Sequence, residues 1–184
     1  MSLIDEEVVD EEILMNVLWI FGNMFGEDTE IRQMIIKHIP FHIKMKKIIE
    51  KNFSNKEMKK TILFCFQNLT KNLEYEETYL IKIIEDCIRL IISNYIDDKL
   101  AINDDLMIES LQSFGKIIMH GNEFMVNAFI STGVFEKCVS LIDDFEKIDQ
   151  QVILSAILVI GSSFVSENTE LTEVIIFLII STFS

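Results

Sequence analysis

The chain has 184 residues, 49% hydrophobic and 25% charged, with 30 acidic against 16 basic side chains and a formal net charge of −14. That apolar content excludes a disordered chain, a single proline argues against a turn-rich architecture, and the negative charge opposes nucleic acid phosphates while favouring basic peptides. The cysteines, Cys65, Cys87 and Cys138, are far apart in apolar runs, which argues for small core residues in a reducing compartment rather than a disulfide framework.

The N-terminal MSLIDEEVVDEE is acidic where a secretory or mitochondrial leader is basic, and its carboxylates suit a helix start. A helical period follows. Ile13, Leu14, Val17, Leu18, Ile20, Phe21, Met24 and Phe25 form an apolar stripe, with Glu12, Asn16, Trp19 and Asn23 on the opposite face. Phe25-Gly26-Glu27-Asp28 ends this helix and leads into a short helix and a further apolar one. Pro40 starts that further helix, so His38 and His42 share no helix despite their spacing and are not expected to hold a metal. Ser54 and Glu57 form a capping box for the second long helix. Its stripe is Met58, Ile62, Leu63, Cys65, Phe66 and Leu69, and its opposite face is Glu57, Thr61, Phe64 and Asn68. The small basic patches Lys44-Met45-Lys46-Lys47 and Lys56, Lys59 and Lys60 read as a solvated outer face rather than a nucleic acid site. The apolar run Val174 to Phe183 is too short to span a bilayer and predicts a buried helix. The six glycines form no phosphate-binding pattern.

Breaks at Lys71-Asn72-Leu73-Glu74, His120-Gly121-Asn122-Glu123 and Ser166-Glu167-Asn168-Thr169 resemble the one at Phe25-Gly26. Asn23, Asn68, Ile117 and Ser162 then recur at spacings of 45, 49 and 45 residues, the period of an armadillo or HEAT solenoid. The fold predicted is all-α, one domain over residues 1–184, with repeat joints near 26–29, 72–77, 120–123 and 166–169. In both long helices a large aromatic, Trp19 or Phe64, lies on the face that should be polar, with an asparagine four residues later. Two readings stand side by side. The ring packs under a neighbouring helix, or it lines a surface that holds the stem or charge of a lysine while the amide bonds an extended peptide's backbone.

At these residues the chain resembles importin alpha, the armadillo adaptor that recognises nuclear localisation signals. Asn16-Val-Leu-Trp19-Ile-Phe-Gly-Asn23-Met-Phe-Gly26-Glu27 is similar to that family's third-helix motif. Gln67-Asn68-Leu69-Thr70-Lys71-Asn72, then His120-Gly121-Asn122-Glu123 with Val126 to Val134, then Ile160-Gly161-Ser162-Ser163-Phe164-Val165-Ser166, resemble the repeats that follow, in the family's order. The resemblance spans about the third to sixth repeats. It implies a right-handed armadillo superhelix of about three full repeats plus partial ones, without cofactor or enzymatic activity. It also implies a peptide-binding ladder in which Trp19 cradles a lysine, Asn23 and Asn68 bond the peptide backbone, Phe64 stands for the next tryptophan, and Glu27 pairs with a bound lysine. The implied partners are Lys/Arg-rich cargo segments, in cytoplasm and nucleus, with no nucleic acid and no membrane. The N-terminus carries no basic segment of the kind the family uses for importin beta, which argues against that partner. Ser113 with Ile117, and Leu158 with Ser162, replace the later aromatic–asparagine pairs, so the ladder covers two repeats. A fragment, a divergent paralogue and a truncated reading frame all fit this pattern. An armadillo scaffold with a partner outside nuclear import is the alternative.

Overall fold

The computed structural model describes residues 10–51, 53–71, 78–96, 105–120, 123–144 and 146–165, with Glu173 and Ile176. Among these described residues all extended regular structure is helical: α1 (Glu11–Glu27), α2 (Thr29–His38), α3 (Phe41–Glu50), α4 (Lys56–Thr70), α5 (Thr78–Tyr95), α6 (Asp105–Met119), α7 (Glu123–Ser131), α8 (Val134–Asp143) and α9 (Gln150–Val165). Short polar side chains set several starts. Asp10 Oδ1 accepts from the Glu12 N–H at 2.8 Å. Asp28 ends α1 and caps α2, its Oδ1 accepting from the Glu30 N–H at 2.6 Å. The expected Ser54 cap is corrected: Asn55 caps α4, with Oδ1 accepting from the Glu57 and Met58 N–H groups at 3.0 and 3.4 Å. Asn is as good an N-cap as Ser and places its oxygen over the first turn, so the helix starts one residue later.

Pro40 separates α2 from α3, and Ile39 before it is extended (φ −126°, ψ 124°), as the ring of a following proline favours. His38 and His42 therefore lie on different helices. Between α7 and α8 the same corner is made by Gly133 at φ +78°, a conformation that a side chain strains.

The long helices α1, α4, α6 and α9 pack in succession, each on the next, while α3 packs on α5, α5 on α7 and α8 on α9. The repeating unit is plainest in α2–α3–α4 and α7–α8–α9: short helix, short helix, long helix. Near the first predicted joint, Asp28 separates α1 from α2. The joints at 72–77 and 166–169, and Gly121-Asn122 of the third, lie outside the described residues, as does the run 174–183 apart from Ile176, which is exposed. Among the described residues no single helix is long and apolar enough to cross a membrane.

α4 buries its whole predicted stripe, Met58, Ile62, Leu63, Cys65, Phe66 and Leu69. On α1 only Leu14, Leu18 and Phe25 of the predicted stripe are buried, Phe21 is half-buried against Phe25 and Phe41, and Ile13 and Ile20 are 55% and 52% exposed. The difference is a matter of neighbours. α4 is flanked by both α1 and α6, whereas α1 has α4 alone among the long helices.

The basic patches prove less detached than a solvated face. Lys46 reaches across to Asp86 on α5 at 2.7 Å, and Lys60 to Glu109 on α6 at 3.1 Å. Each lysine's pKa is raised, first by its hydrogen bond to that carboxylate. Lys59 sits 5.0 Å over the ring of Tyr95, a cation–π contact. Burial pushes the Tyr95 phenol above its ordinary range.

All three cysteines are buried, as their apolar settings predict. Burial raises every thiol pKa, that of Cys87 and Cys138 to about 12 and that of Cys65 further. The native protein should therefore leave all three unreactive towards a disulfide reagent at pH 8, with full reaction after denaturation. A folded-state pKa above the unfolded value of about 9 adds stability that is complete below pH 9 and lost as pH rises towards 12. The denaturation midpoint should fall over that window, less so in a Cys→Ala triple variant. Native thiols that react at pH 8 would contradict this placement.

Candidate functional site

The polar face of the long-helix layer carries every residue singled out from the sequence. Trp19, Asn23 and Gly26 follow one another at helical spacing on α1, with Glu27 beside them. Trp19 is 59% exposed and Glu27 is exposed, whereas Asn23, Phe64 and Asn68 are half-buried. The Asn23 amide donates to the Trp19 carbonyl at 2.8 Å, a bond within the helix that orients the side chain and leaves its second N–H and its oxygen.

On the second rung the two readings of the aromatic meet. Phe64 packs on Gly22: a Cβ built there would lie 2.5 Å from Phe64 Cε1. Asn68 sits over the same stretch of α1. Its Nδ2 donates to the Gly22 carbonyl at 3.0 Å and lies 3.1 Å from where a Gly26 Cβ would be. Gly22 and Gly26, four residues apart, are thus the seat on α1 that receives α4. Phe64 and Asn68 hold the helices together while their remaining surface stays open. Trp19 has no such seat among the described residues, and its ring projects into solvent.

Further along, the face changes character. At the third rung Ser113 and Ile117 are buried in α6. At the fourth, Leu158 lies against Gly115, where a Cβ would be 3.2 Å from Leu158 Cγ, and the Ser162 hydroxyl donates to the Leu158 carbonyl at 2.7 Å. Between α4 and α6 an open cleft of ≈ 110 Å³ is lined by Gln67, Asn68, Lys71, Lys116, Ile117 and His120. Lys71, Lys116 and His120 are exposed, and Ile117 forms an apolar floor. These residues are scattered singly in the sequence, so no charge run announces them.

No protein-family model matches the chain, and no curated protein matches it. Solved structures do. A designed armadillo repeat protein superposes with TM-score 0.65 at 17% identity, covering 94% of this chain and 66% of its own. The fold is an armadillo-repeat solenoid. Another match is to computationally designed armadillo repeat proteins for modular peptide recognition, with TM-score 0.61, 17% identity, and coverage of 92% and 65%. An engineered protein from a structural genomics consortium gives TM-score 0.67 at 14% identity, with 93% and 65% covered. The chain spans about two thirds of the length of these armadillo and engineered structures. At such identities the likeness concerns the backbone. In armadillo terms α1, α4, α6 and α9 are the long third helices, and the rungs lie across them.

Proposed function

We propose that the face of the third helices is a groove for extended peptides, and that its first rung takes a lysine of a basic segment of the nuclear-localisation-signal kind, as the importin alpha resemblance implies. The observation that carries this reading is Trp19. A large ring 59% exposed supplies a flat surface for a lysine stem, and the exposed carboxylate of Glu27, roughly 12 Å further along α1, supplies a partner for the ammonium of another bound lysine. Asn23 and Asn68 keep an amide oxygen and one N–H each for a peptide backbone. The peptide-recognition purpose of one set of designed neighbours supports the same use of the scaffold. Nuclear import of lysine-rich cargo is the finer form of this proposal.

Trp19 is the sole tryptophan, so its fluorescence reports the site. Titrating a lysine-rich peptide at low ionic strength should change the emission, and the change should fade with salt. Trp19→Ala should weaken binding of a labelled peptide by about 1–2 kcal/mol, roughly five- to thirtyfold, without loss of helicity. A folded protein whose emission does not respond at low salt overturns the reading. A second reading, an armadillo scaffold for a different partner, is favoured by the buried Ser113 and Ile117 and by Leu158 packed on Gly115. It predicts that lysine-rich peptides show no advantage over lysine-free ones.

A further inference from the structure

The cleft between α4 and α6 carries charge opposite to what a purely basic ligand needs. Resting on the groove reading, we propose that this cleft is an acidic-residue subsite: it takes the carboxylate of an Asp or Glu in the same extended peptide whose lysine lies at Trp19, so the preferred ligand is of mixed charge.

The chemistry is written in the lining. Lys71 and Lys116 stand on facing helices and are exposed, and no ion pair joins either to a carboxylate among the described residues. Other lysines of these helices behave differently, since Lys60 pairs with Glu109 and Glu57. Gln67, Asn68 and His120 add polar groups around the rim, and Ile117 offers the methylene stem an apolar floor.

The cleft lies at the C-terminal ends of α4 and α6, since Lys71 caps α4 and His120 follows α6. Helix dipoles there place roughly half a negative charge at each end. Among the lining residues the two ammonium groups outweigh those partial charges. On a chain of net charge −14, two lysines lining one cleft are a feature of the place and not of the protein.

Spacing follows from the stacking. Packed helices lie about 8–10 Å apart, and the cleft sits roughly 6–7 Å nearer the helix C-termini than the level of Trp19, so it is about 13–17 Å from Trp19. An extended peptide advances about 3.3–3.6 Å per residue, which puts the acidic residue about four to five positions from the lysine.

Calorimetry with unlabelled, C-terminally amidated dodecapeptides tests this on the whole chain. One pair carries Lys and Glu four residues apart, in either order; companions replace Glu by Gln or Lys by Ala. Replacing Glu by Gln should weaken binding about five- to tenfold. In Lys71→Met/Lys116→Met, with helicity unchanged, that preference should vanish while dependence on the peptide lysine persists. A Gln peptide that binds as tightly as its Glu counterpart, or a Glu preference that survives in the double variant, overturns the subsite alone. A Glu preference without lysine dependence overturns the lysine site at Trp19 alone. No binding by any peptide overturns both.

Discussion

Replacing Arg32 by methionine should lower stability by about 3 kcal/mol, or roughly 6–12 °C in melting temperature for a chain of this size. Arg32 lies on α2 and is 2% exposed. One guanidinium nitrogen donates to the Phe25 carbonyl at 2.9 Å and to the Asn68 carbonyl at 3.2 Å, and the other to Thr29 Oγ1 at 3.1 Å. Phe25 and Asn68 occupy the same place in their helices, two residues before the last of α1 and of α4. Their carbonyls have no partner further along the helix. A single buried cation thus answers the C-terminal carbonyls and dipoles of two third helices at once. Methionine keeps the stem's volume but removes every donor, leaving two carbonyls desolvated at about 1–3 kcal/mol each. Arg32→Lys should fall between, because an ammonium keeps the charge without the planar fork. Urea denaturation of the three proteins measures the series. A methionine variant as stable as the parent would show that the tie between α1, α2 and α4 contributes nothing.

None of that tie is visible in the sequence, where Arg32 is one basic residue in a short polar helix. The reason is physical: what buries it is the meeting of two helix ends 43 residues apart, and no local period encodes such a meeting. What periodicity does encode is which face of a helix is apolar. For α4 that was enough, because neighbours on both sides cover the stripe and all six predicted residues are buried. For α1 the same pattern named Ile13 and Ile20, which are exposed. An apolar face states a demand for a partner and not its presence.

The rungs divide in the same way. The spacing of Trp19 to Asn23 and of Phe64 to Asn68 puts each pair on one face from sequence alone. The seat for Phe64 is hard to read from sequence because glycine adds nothing to an apolar stripe, although Gly22 and Gly26 at helical spacing signal close approach. The cleft at Lys71, Lys116 and His120 is not legible there because stacking, and not adjacency in the chain, brings those residues together. The period of 45 to 49 residues was the clue to stacking, but it gives the rungs without the side chains between them.

The seat itself makes the second strong prediction, because a helical glycine can be tested in two opposite settings. Alanine is favoured over glycine within a helix by about 1 kcal/mol. At Gly161 on α9 nothing lies within 4 Å of an added Cβ, so Gly161→Ala should gain most of that, about 0.5–1 kcal/mol. At Gly22 the added Cβ would lie 2.5 and 2.7 Å from the Phe64 ring and 3.3 Å from the backbone Cα of Cys65. Overpacking of this kind costs about 1–3 kcal/mol, and the ring cannot retreat freely, since Asn68 one turn on is bonded to the Gly22 carbonyl. The clash should win: Gly22→Ala is expected to lose about 1–2 kcal/mol net, and Gly22→Val about 3 kcal/mol. Phe64→Leu withdraws the colliding ring edge, so in that background Gly22→Ala should be neutral or stabilising. The double-mutant cycle, read by urea denaturation, should then show a coupling of about 1–2 kcal/mol. Equal gains at Gly22 and Gly161, or no coupling to residue 64, would mean that the α1–α4 contact is looser than these distances require. If the cycle holds, the half-buried pose of Phe64 is set by packing first. A ligand at the second rung would then have to fit the edge of the ring that Gly22 leaves uncovered.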